Sequence, residues 1–384
     1  MSRRIVVITE IIAPYRIPVL NALAQIPNID PKVIFLAEND RRLREWHVYK
    51  EELQFSYQVL SSWRVPLPNS SLLLNWGMTA ALRSYSPEAI VCGGYNDPAD
   101  WQAWLWARRN GVPFFSWVES NTHDRRTGTA VVESLKRRFL RGCRGVVVPG
   151  KASANYVESL GVTSDAVFTA PNAVDNNLYT NGAAQIRAQP DLPRSTLALP
   201  ERYFLFVGRL VPEKGVFDLL DAYGRLAVEI RERVALVLVG DGGARGELEM
   251  KARTIAPGRI MFRGFKQRNQ LIAEYALAEL FIFPTHTDPW GLVVNEAMAC
   301  GLPVIVTDVA GCSKDLIEED GNGYVVPARD PAELARAMAA IVCNRERRAR
   351  MGKRSLEIIA NYSPERCAAG LAQAASSGWG SNAS

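Results

Sequence analysis

At 384 residues and 48% hydrophobic composition the chain is long enough to bury two domain cores and reads as globular. Its formal charge of +5 lies wholly in residues 1–190, where 21 Lys/Arg meet 16 Asp/Glu, while residues 191–384 carry 24 of each; that is no nucleic-acid-binding stripe, only a modest pull toward phosphates or anionic surfaces. The six cysteines form no CxxC pair and histidines number three, so neither a disulfide framework nor a zinc site is indicated and a reducing cytoplasm is expected.

The opening MSRRIVVITEII has the basic start and apolar middle of a leader, but Glu10 interrupts it and no small-residue cleavage site follows, so Ile5 to Thr9 reads as a first strand. Apolar strands then alternate with amphipathic stretches, as in a doubly wound α/β sheet. Strands are expected at Lys32 to Leu36, Ala89 to Cys92, Pro113 to Val118, Gly145 to Val148 and Val167 to Ala170. Helices are expected at Ile17 to Gln25, Leu72 to Tyr85, Ala99 to Asn110, Ala130 to Arg141 and Ser153 to Leu160. Residues 181–200, NGAAQIRAQPDLPRSTLALP, lack sustained periodicity, and the interdomain linker is placed there, at 186–200.

The alternation restarts with strands at Tyr203 to Val207, Ala235 to Val239, Ile260 to Phe262, Leu280 to Phe283, Val304 to Val306 and Gly323 to Val326. Between them helices are expected, notably Val216 to Leu226 and Leu292 to Cys300, with two more near Arg345 to Ala360 and Pro364 to Ala375. The organisation read from this is a Rossmann-like domain over 1–185, a second over 201–362, and a segment 363–384 whose helix returns to the first domain before a mobile tail. No apolar run approaches ~20 residues, so any membrane contact is peripheral.

Candidate chemistry gathers in the second half. In FIFPTHTDPWGLVVNEAMACGLPVIV (281–306) a strand stops at Pro284, a polar loop carries His286 and Asp288, and a helix begins at Gly291. Glycine lets a ligand approach the backbone there, and the N–H groups of Leu292, Val293 and Val294 form a helix N-terminus suited to phosphate oxygens. Asp288 and Glu296 can face one cleft, although a helix cap followed by a surface acid explains the same residues. Upstream, YFLFVGRLVPEKG (203–215) places Gly208, Arg209 and Lys214 in a loop after a strand, where fixed cations stabilise a departing diphosphate. LVLVGDGGARGE (236–247) puts a glycine cluster, with Gly240 first, between a buried strand and a helix.

The stretch DPWGLVVNEAMACGLPVI resembles the acid-x7-acid signature of retaining glycosyltransferases of family 4, which have the GT-B architecture of two Rossmann-like domains facing each other across a cleft. The family's first acid is usually Glu, and here it is Asp288. GRL-x-PEKG likewise resembles the family's diphosphate-binding loop, and FRGF resembles the loop bordering the nucleobase, which implies contacts from Arg263, Gly264, Phe265 and Lys266. The resemblance implies that Arg209 and Lys214 neutralise the diphosphate, helped by Gly291, Leu292 and Val293 at the helix start, that Glu296 holds the ribose, and that Asp288 holds the donor sugar. No cofactor is implied beyond the nucleotide diphosphate sugar as co-substrate, and with no Asp-x-Asp pair in the chain no metal is expected.

The first half departs further from the family. Where many relatives have a Gly-Gly loop, this chain has TEIIAPYRIP, so Tyr15 and Arg16 are placed on the acceptor side together with Tyr95. The histidine that relatives often carry is absent from its usual place: either Glu119 has taken its role or His123 swings into the same space. Seven of the nine tryptophans precede residue 118, and Trp101, Trp104 and Trp106 spread around a helix axis, so some are core and some exposed. Exposed aromatics suit sugar stacking or a membrane interface. ESLKRRFLRGCR (133–144) is a basic amphipathic helix that can lie on anionic lipid or form an ordinary solvated face.

The function expected is retaining, metal-independent transfer of a hexosyl unit from a UDP- or GDP-sugar to a hydroxyl of a glycan or lipid-linked saccharide, as in polysaccharide biosynthesis. The place expected is the cytoplasm, at the inner membrane face if the basic helix meets lipid, with no nucleic-acid partner. A nucleotide-sugar epimerase of the same fold and a non-catalytic nucleotide-sugar or glycan-binding protein are the rivals. A nicotinamide dehydrogenase falls behind, since no G-x-G-x-x-G follows the first strand.

Overall fold

The computed structural model describes residues 2–39, 46–67, 70–123 and 130–379; the end of the expected mobile tail, 380–384, lies outside the described residues. The chain divides into two compact units. One holds Met1–Thr122, Arg126–Val174 and Ser363–Ser384, and the other His123–Arg125 and Asp175–Tyr362.

The first unit is built from β1 (Arg3–Thr9), α1 (Ile17–Ala24), β2 (Ile29–Phe35), β3 (Ser56–Val59), β4 (Ser61–Leu67), β5 (Ser70–Trp76), α2 (Met78–Tyr85) and β6 (Ala89–Cys92). It continues through α3 (Pro98–Arg109), β7 (Phe114–Trp117), α4 (Ala130–Arg141), β8 (Gly145–Val148), α5 (Lys151–Ser159) and β9 (Val167–Thr169). Seven strands form one parallel sheet in the order β3-β2-β1-β6-β7-β8-β9. A parallel sheet is covered on both faces, so its central strands are continuous apolar runs such as AIVC and GVVV. One face packs α2, α3, α4 and α5 around Phe139, Leu82 and Val146; the other packs α1 and the C-terminal helix around Ile5, Phe115 and Leu371.

A helix over Leu72 to Tyr85 is not what forms. Residues 70–76 are strand β5, paired antiparallel with β4, and Gly77 at φ 92° turns the chain before α2 begins at Met78. The run Leu72-Leu73-Leu74 suits either period, and the cross-strand partner at 61–67 decides between them.

The second unit contains α6 (Asn176–Ala188), α7 (Asp191–Thr196), β10 (Tyr203–Val207), α8 (Val216–Arg225), α9 (Val228–Arg233), β11 (Ala235–Val239), α10 (Arg245–Ile255), β12 (Ile260–Phe262) and α11 (Arg268–Ala276). There follow β13 (Leu280–Phe283), α12 (Leu292–Ala299), β14 (Val304–Thr307), α13 (Ser313–Leu316), β15 (Gly323–Val326), α14 (Pro331–Val342) and α15 (Arg345–Ile359). The six strands are parallel in the order β12-β11-β10-β13-β14-β15. The last helix, α16 (Pro364–Ser377), belongs to the first unit and packs on α1.

The stretch expected to be an irregular linker is instead helical, and the units divide at Val174 and Asp175. Asp175 caps α6 by accepting from Leu178 N at 2.9 Å, and Tyr179 and Ala183 are buried along its inner face. Tertiary packing therefore stabilises a helix that its own composition does not announce: Gly182 lies flush against Ile272 of α11, with no room for a side chain.

Candidate functional site

In the second unit the strand order reverses at β10, whose neighbours are β11 and β13, and ligands of doubly wound sheets bind beyond the carboxyl ends of strands at such a point. The loops leaving β10 and β13 carry the sequence candidates. They meet closely: a Cβ on Gly215, which sits at φ 65°, would lie 1.8 Å from Pro284 O. His286 N donates to Glu213 O at 2.8 Å, and Thr285 Oγ1 donates to the same carbonyl at 3.1 Å. This seam brings Lys214 Nζ to 2.5 Å from Asp288 Oδ2. Asp288 Oδ1 also accepts from Trp290 N at 3.0 Å, which fixes the carboxylate in the loop.

Beside that pair lies one the sequence reading did not assign: His286 Nε2 stands 2.6 Å from Asp218 Oδ2, both largely buried. Asp218 is in the first turn of α8, four residues after Lys214, and a helical side chain leans toward its own N-terminus. That spacing was the available signal. Arg209 is exposed, and among the described residues no side chain pairs with it, so its guanidinium is available to an anion.

Helix α12 begins at Gly291, φ 99°, where a Cβ would press on the Phe283 ring at 2.7 Å. No side chain caps it. Leu292 and Val293 stay half-buried at its first turn, whereas the Val294 N–H, expected to be free, donates to Gly291 O at 2.8 Å. Gly208 and Gly240 bring β10 and β11 together: a Cβ on Gly240 would meet Gly208 O at 1.9 Å. Gly240 N in turn donates to Gly264 O at 2.8 Å.

Glu296 has local partners. Its Oε2 accepts from the Tyr275 hydroxyl at 2.7 Å, and the Tyr179 hydroxyl bonds it as well. Burial pushes this carboxyl up to about 6, partly opposed by those hydroxyls and by the charge of Arg268. Asp288 and Glu296 thus serve different partners. Arg263 and Lys266, expected to border a nucleobase, pair with a carboxylate of their own unit: Arg263 lies 3.2 Å and Lys266 3.9 Å from Oε1 of the buried Glu274 on α11. A buried carboxylate demands compensating charge, and the two loop cations supply it. Phe265 between them is exposed.

In the first unit, Arg16 NH2 lies 2.7 Å from Glu119 Oε1 and its guanidinium sits 3.6 Å over the Trp117 ring. Burial works against the Arg16 charge, but Glu119 and Tyr15 outweigh it and hold the group more firmly protonated than usual. Ser153 Oγ donates to Glu119 O at 3.0 Å. Tyr95 does not join this cluster; its ring is buried 6.1 Å from Phe139 in the apolar core. His123 groups with the second unit, where its carbonyl accepts from Thr287 Oγ1 at 3.0 Å. Among the described residues no three His, Cys, Asp or Glu side chains are arranged to hold a metal ion, and no helix is long and apolar enough to cross a membrane.

Residues 189–357 match the family model of glycosyl transferases group 1. Similar curated proteins include the D-inositol 3-phosphate glycosyltransferase of Nocardia farcinica, 30% identical over 236 residues that make up 59% of this chain and 51% of that protein. The alpha-D-kanosaminyltransferase of Streptomyces kanamyceticus is 33% identical over 162 residues, 41% of each chain. The chain spans about half the length of the curated relatives it matches. Among solved structures, Anabaena Alr3699/HepE in complex with UDP-glucose aligns at a TM-score of 0.72 with 19% identity, covering 97% of this chain and 99% of that one. The sucrose-phosphate synthase of Thermosynechococcus elongatus aligns at 0.72 with 19% identity, covering 97% and 98%. These likenesses identify the pair of Rossmann-like units as the GT-B fold.

Proposed function

We infer from the match of residues 189–357 to the glycosyl transferases group 1 model that the chain moves a hexosyl unit from a nucleotide diphosphate sugar to a hydroxyl of a glycan or lipid-linked saccharide, with retention at the transferred carbon. The observation that carries this is the pairing of Lys214 with Asp288 at the strand-order reversal, beside the uncapped start of α12 and Arg209, which pairs with no side chain among the described residues.

In that reading the bond between the sugar's anomeric carbon and the diphosphate oxygen breaks as the acceptor oxygen approaches from the same face. The acceptor's proton passes to the leaving phosphate. Negative charge grows on the diphosphate, and Arg209, Lys214 and the positive end of α12 stabilise it from fixed positions, so that no divalent metal is needed. Asp288, released from Lys214 when the diphosphate takes that cation, turns to a sugar hydroxyl. Glu296 holds the ribose. Arg16, oriented by Glu119 and Trp117, serves the acceptor or its phosphate.

Anabaena HepE was crystallised with UDP and with UDP-glucose, which makes a uridine nucleotide the first donor to try. The test is a thermal-shift screen against UDP, GDP, ADP and dTDP and their sugars, with and without Mg²⁺. A ligand at about one hundred times its dissociation constant adds ~2.7 kcal/mol of stability, well within detection. A shift with one nucleotide and no metal requirement supports the reading, and no shift with any of them counts against it.

A further inference from the structure

Glu296 on α12 takes two neutral donors from two other helices. The Tyr275 hydroxyl of α11 donates to its Oε2 at 2.7 Å, and the Tyr179 hydroxyl of α6 bonds it as well. Both phenols are fully buried, with rings 6.2 Å apart edge to face, whereas Glu296 is only half-buried. Phenylalanine would fill the same space, so the two hydroxyls serve the carboxylate and not the packing. The frame behind them is tied on both sides. Thr180 Oγ1 donates to Ala299 O at 2.9 Å and Arg187 Nη2 to Cys300 O at 2.6 Å, which joins α6 to the end of α12. Arg187 Nε donates to Ala276 O at 2.8 Å, which joins α6 to the end of α11. The hydroxyls therefore stand at fixed points relative to the helix that bears Glu296.

Neutral donors decide what the carboxylate can still do. A bonded cation would cancel its charge, and hydroxyls do not. Burial, with the Glu296 charge adding to it, keeps Tyr179, Tyr275 and the neighbouring Cys300 thiol protonated. The Arg268 charge favours the ionised carboxylate, but less than either hydroxyl does. An ionised carboxylate has about four acceptor positions, and two O–H donors fill about half of them. What remains is an oriented anionic acceptor with room for two more donors. A vicinal diol is the neutral group that brings two adjacent O–H donors, and a ribonucleotide carries one at its 2′ and 3′ carbons.

We propose that Tyr179 and Tyr275 are positioning residues: they aim the Glu296 carboxylate at the 2′ and 3′ hydroxyls of the donor nucleotide and so make the site select ribonucleotides over their 2′-deoxy forms. The proposal rests on the donor reading above, in which Glu296 holds the ribose, and adds what orients that acid and what the orientation discriminates. Only the ionised carboxylate accepts from both hydroxyls. Burial pushes this carboxyl up to about 6, so the selectivity is full above that pH and fades as pH falls through it. The two tyrosine hydroxyls pull in the opposite direction, so their removal moves the fade to higher pH.

The experiment is calorimetric titration of the full chain with UDP, GDP and their 2′-deoxy forms from about pH 5 to about pH 8. The quantity read is the ratio of ribo to deoxy affinity, in which the diphosphate's own protonation cancels. Wild type should prefer the ribonucleotide about tenfold or more near neutral pH, the size of a hydrogen bond to a charged group, and lose that preference below about pH 6. Tyr179→Phe/Tyr275→Phe should cut the ratio to about threefold or less while 2′-deoxy affinity stays within about threefold of wild type. Tyr275→Phe alone should shift the fade upward in pH, and Glu296→Gln should bring the ratio near one at every pH. A folded double variant that keeps the wild-type ratio and pH midpoint would overturn the proposal. So would equal losses for both nucleotide forms, which would make the tyrosines plain structural support. A wild type that binds nucleotide without ribo preference overturns the proposal and leaves donor binding standing, whereas a wild type that binds none of the four defeats the donor reading itself.

Discussion

Lys214 Nζ lies 2.5 Å from Asp288 Oδ2 and so joins the turn after β10 to the loop after β13. In the function proposed here the pair presets both side chains where a diphosphate would arrive, and the carboxylate would hold the cation until an anion of higher charge took it. Lys214→Ala is expected to weaken nucleoside diphosphate binding by about tenfold to a hundredfold, the size of one charge-assisted hydrogen bond. Lys214→Arg should recover part of the affinity, because the charge is kept and only its geometry changes. Titration of the preferred nucleotide into both variants measures this, and unchanged affinity in Lys214→Ala would remove the lysine from the site.

The same two loops touch at Gly215, where a Cβ would stand 1.8 Å from Pro284 O at a backbone φ of 65°. Gly215→Ala therefore combines left-handed strain with a backbone clash, and a loss of about 2 kcal/mol or more is expected. Gly243 is the control, since a Cβ there meets nothing within 4 Å. Its alanine variant should stay within about 0.5 kcal/mol of wild type. Urea unfolding compares them, and a shared midpoint would refute the tight seam between the loops.

Much of the second unit was legible because its strands are buried on both faces, so that runs such as YFLFV and ALVLV can be read as strands from composition alone. The loops that follow them are where chemistry belongs, and Lys214 and Asp288, which the structure pairs, were read as candidates there. What local sequence did not show is the set of partners met through the fold. Glu274 of α11 pairs with Arg263 and Lys266, and Glu296 is bonded by Tyr275 of the same helix and Tyr179 of α6. The Leu72 to Leu74 run became a strand only because residues 61–67 pair with it. Local pattern carries no record of such partners.

Stability should also carry a pH signature from Asp100, buried at the start of α3. The Cys92 thiol donates to its Oδ1 at 3.3 Å and Asp97 N to its Oδ2 at 3.1 Å. Burial first, then the neighbouring Asp97 charge, pushes this carboxyl up to about 7. The folded chain thus holds the proton more tightly than the unfolded one. Stability from this group is full below the ordinary carboxylate range and is lost as pH rises toward 7. Asp97 and Glu296, each pushed up to about 6 and each chiefly by burial, act in the same direction. Asp100→Asn is expected to flatten, without abolishing, the fall in urea midpoint between about pH 5 and about pH 7. An unchanged slope would show that Asp100 is ionised throughout.

His286 and Asp218, 2.6 Å apart, brace the Lys214 turn from behind. Asp218 belongs to α8 and His286 to the loop after β13, so the contact holds the lysine turn and the Asp288 loop in one register without either residue being assigned to the donor. Asp218→Asn should cost about 1 kcal/mol of stability, as a partly buried hydrogen bond loses its charge. It should also weaken nucleotide binding severalfold through misplacement of Lys214. A double-mutant cycle separates positioning from plain stability: if Asp218 acts through Lys214, Asp218→Asn will add little to the affinity already lost in Lys214→Ala. Losses that simply add in the cycle, or a lowered melting temperature with unaltered nucleotide titration, would reduce the pair to a structural tie.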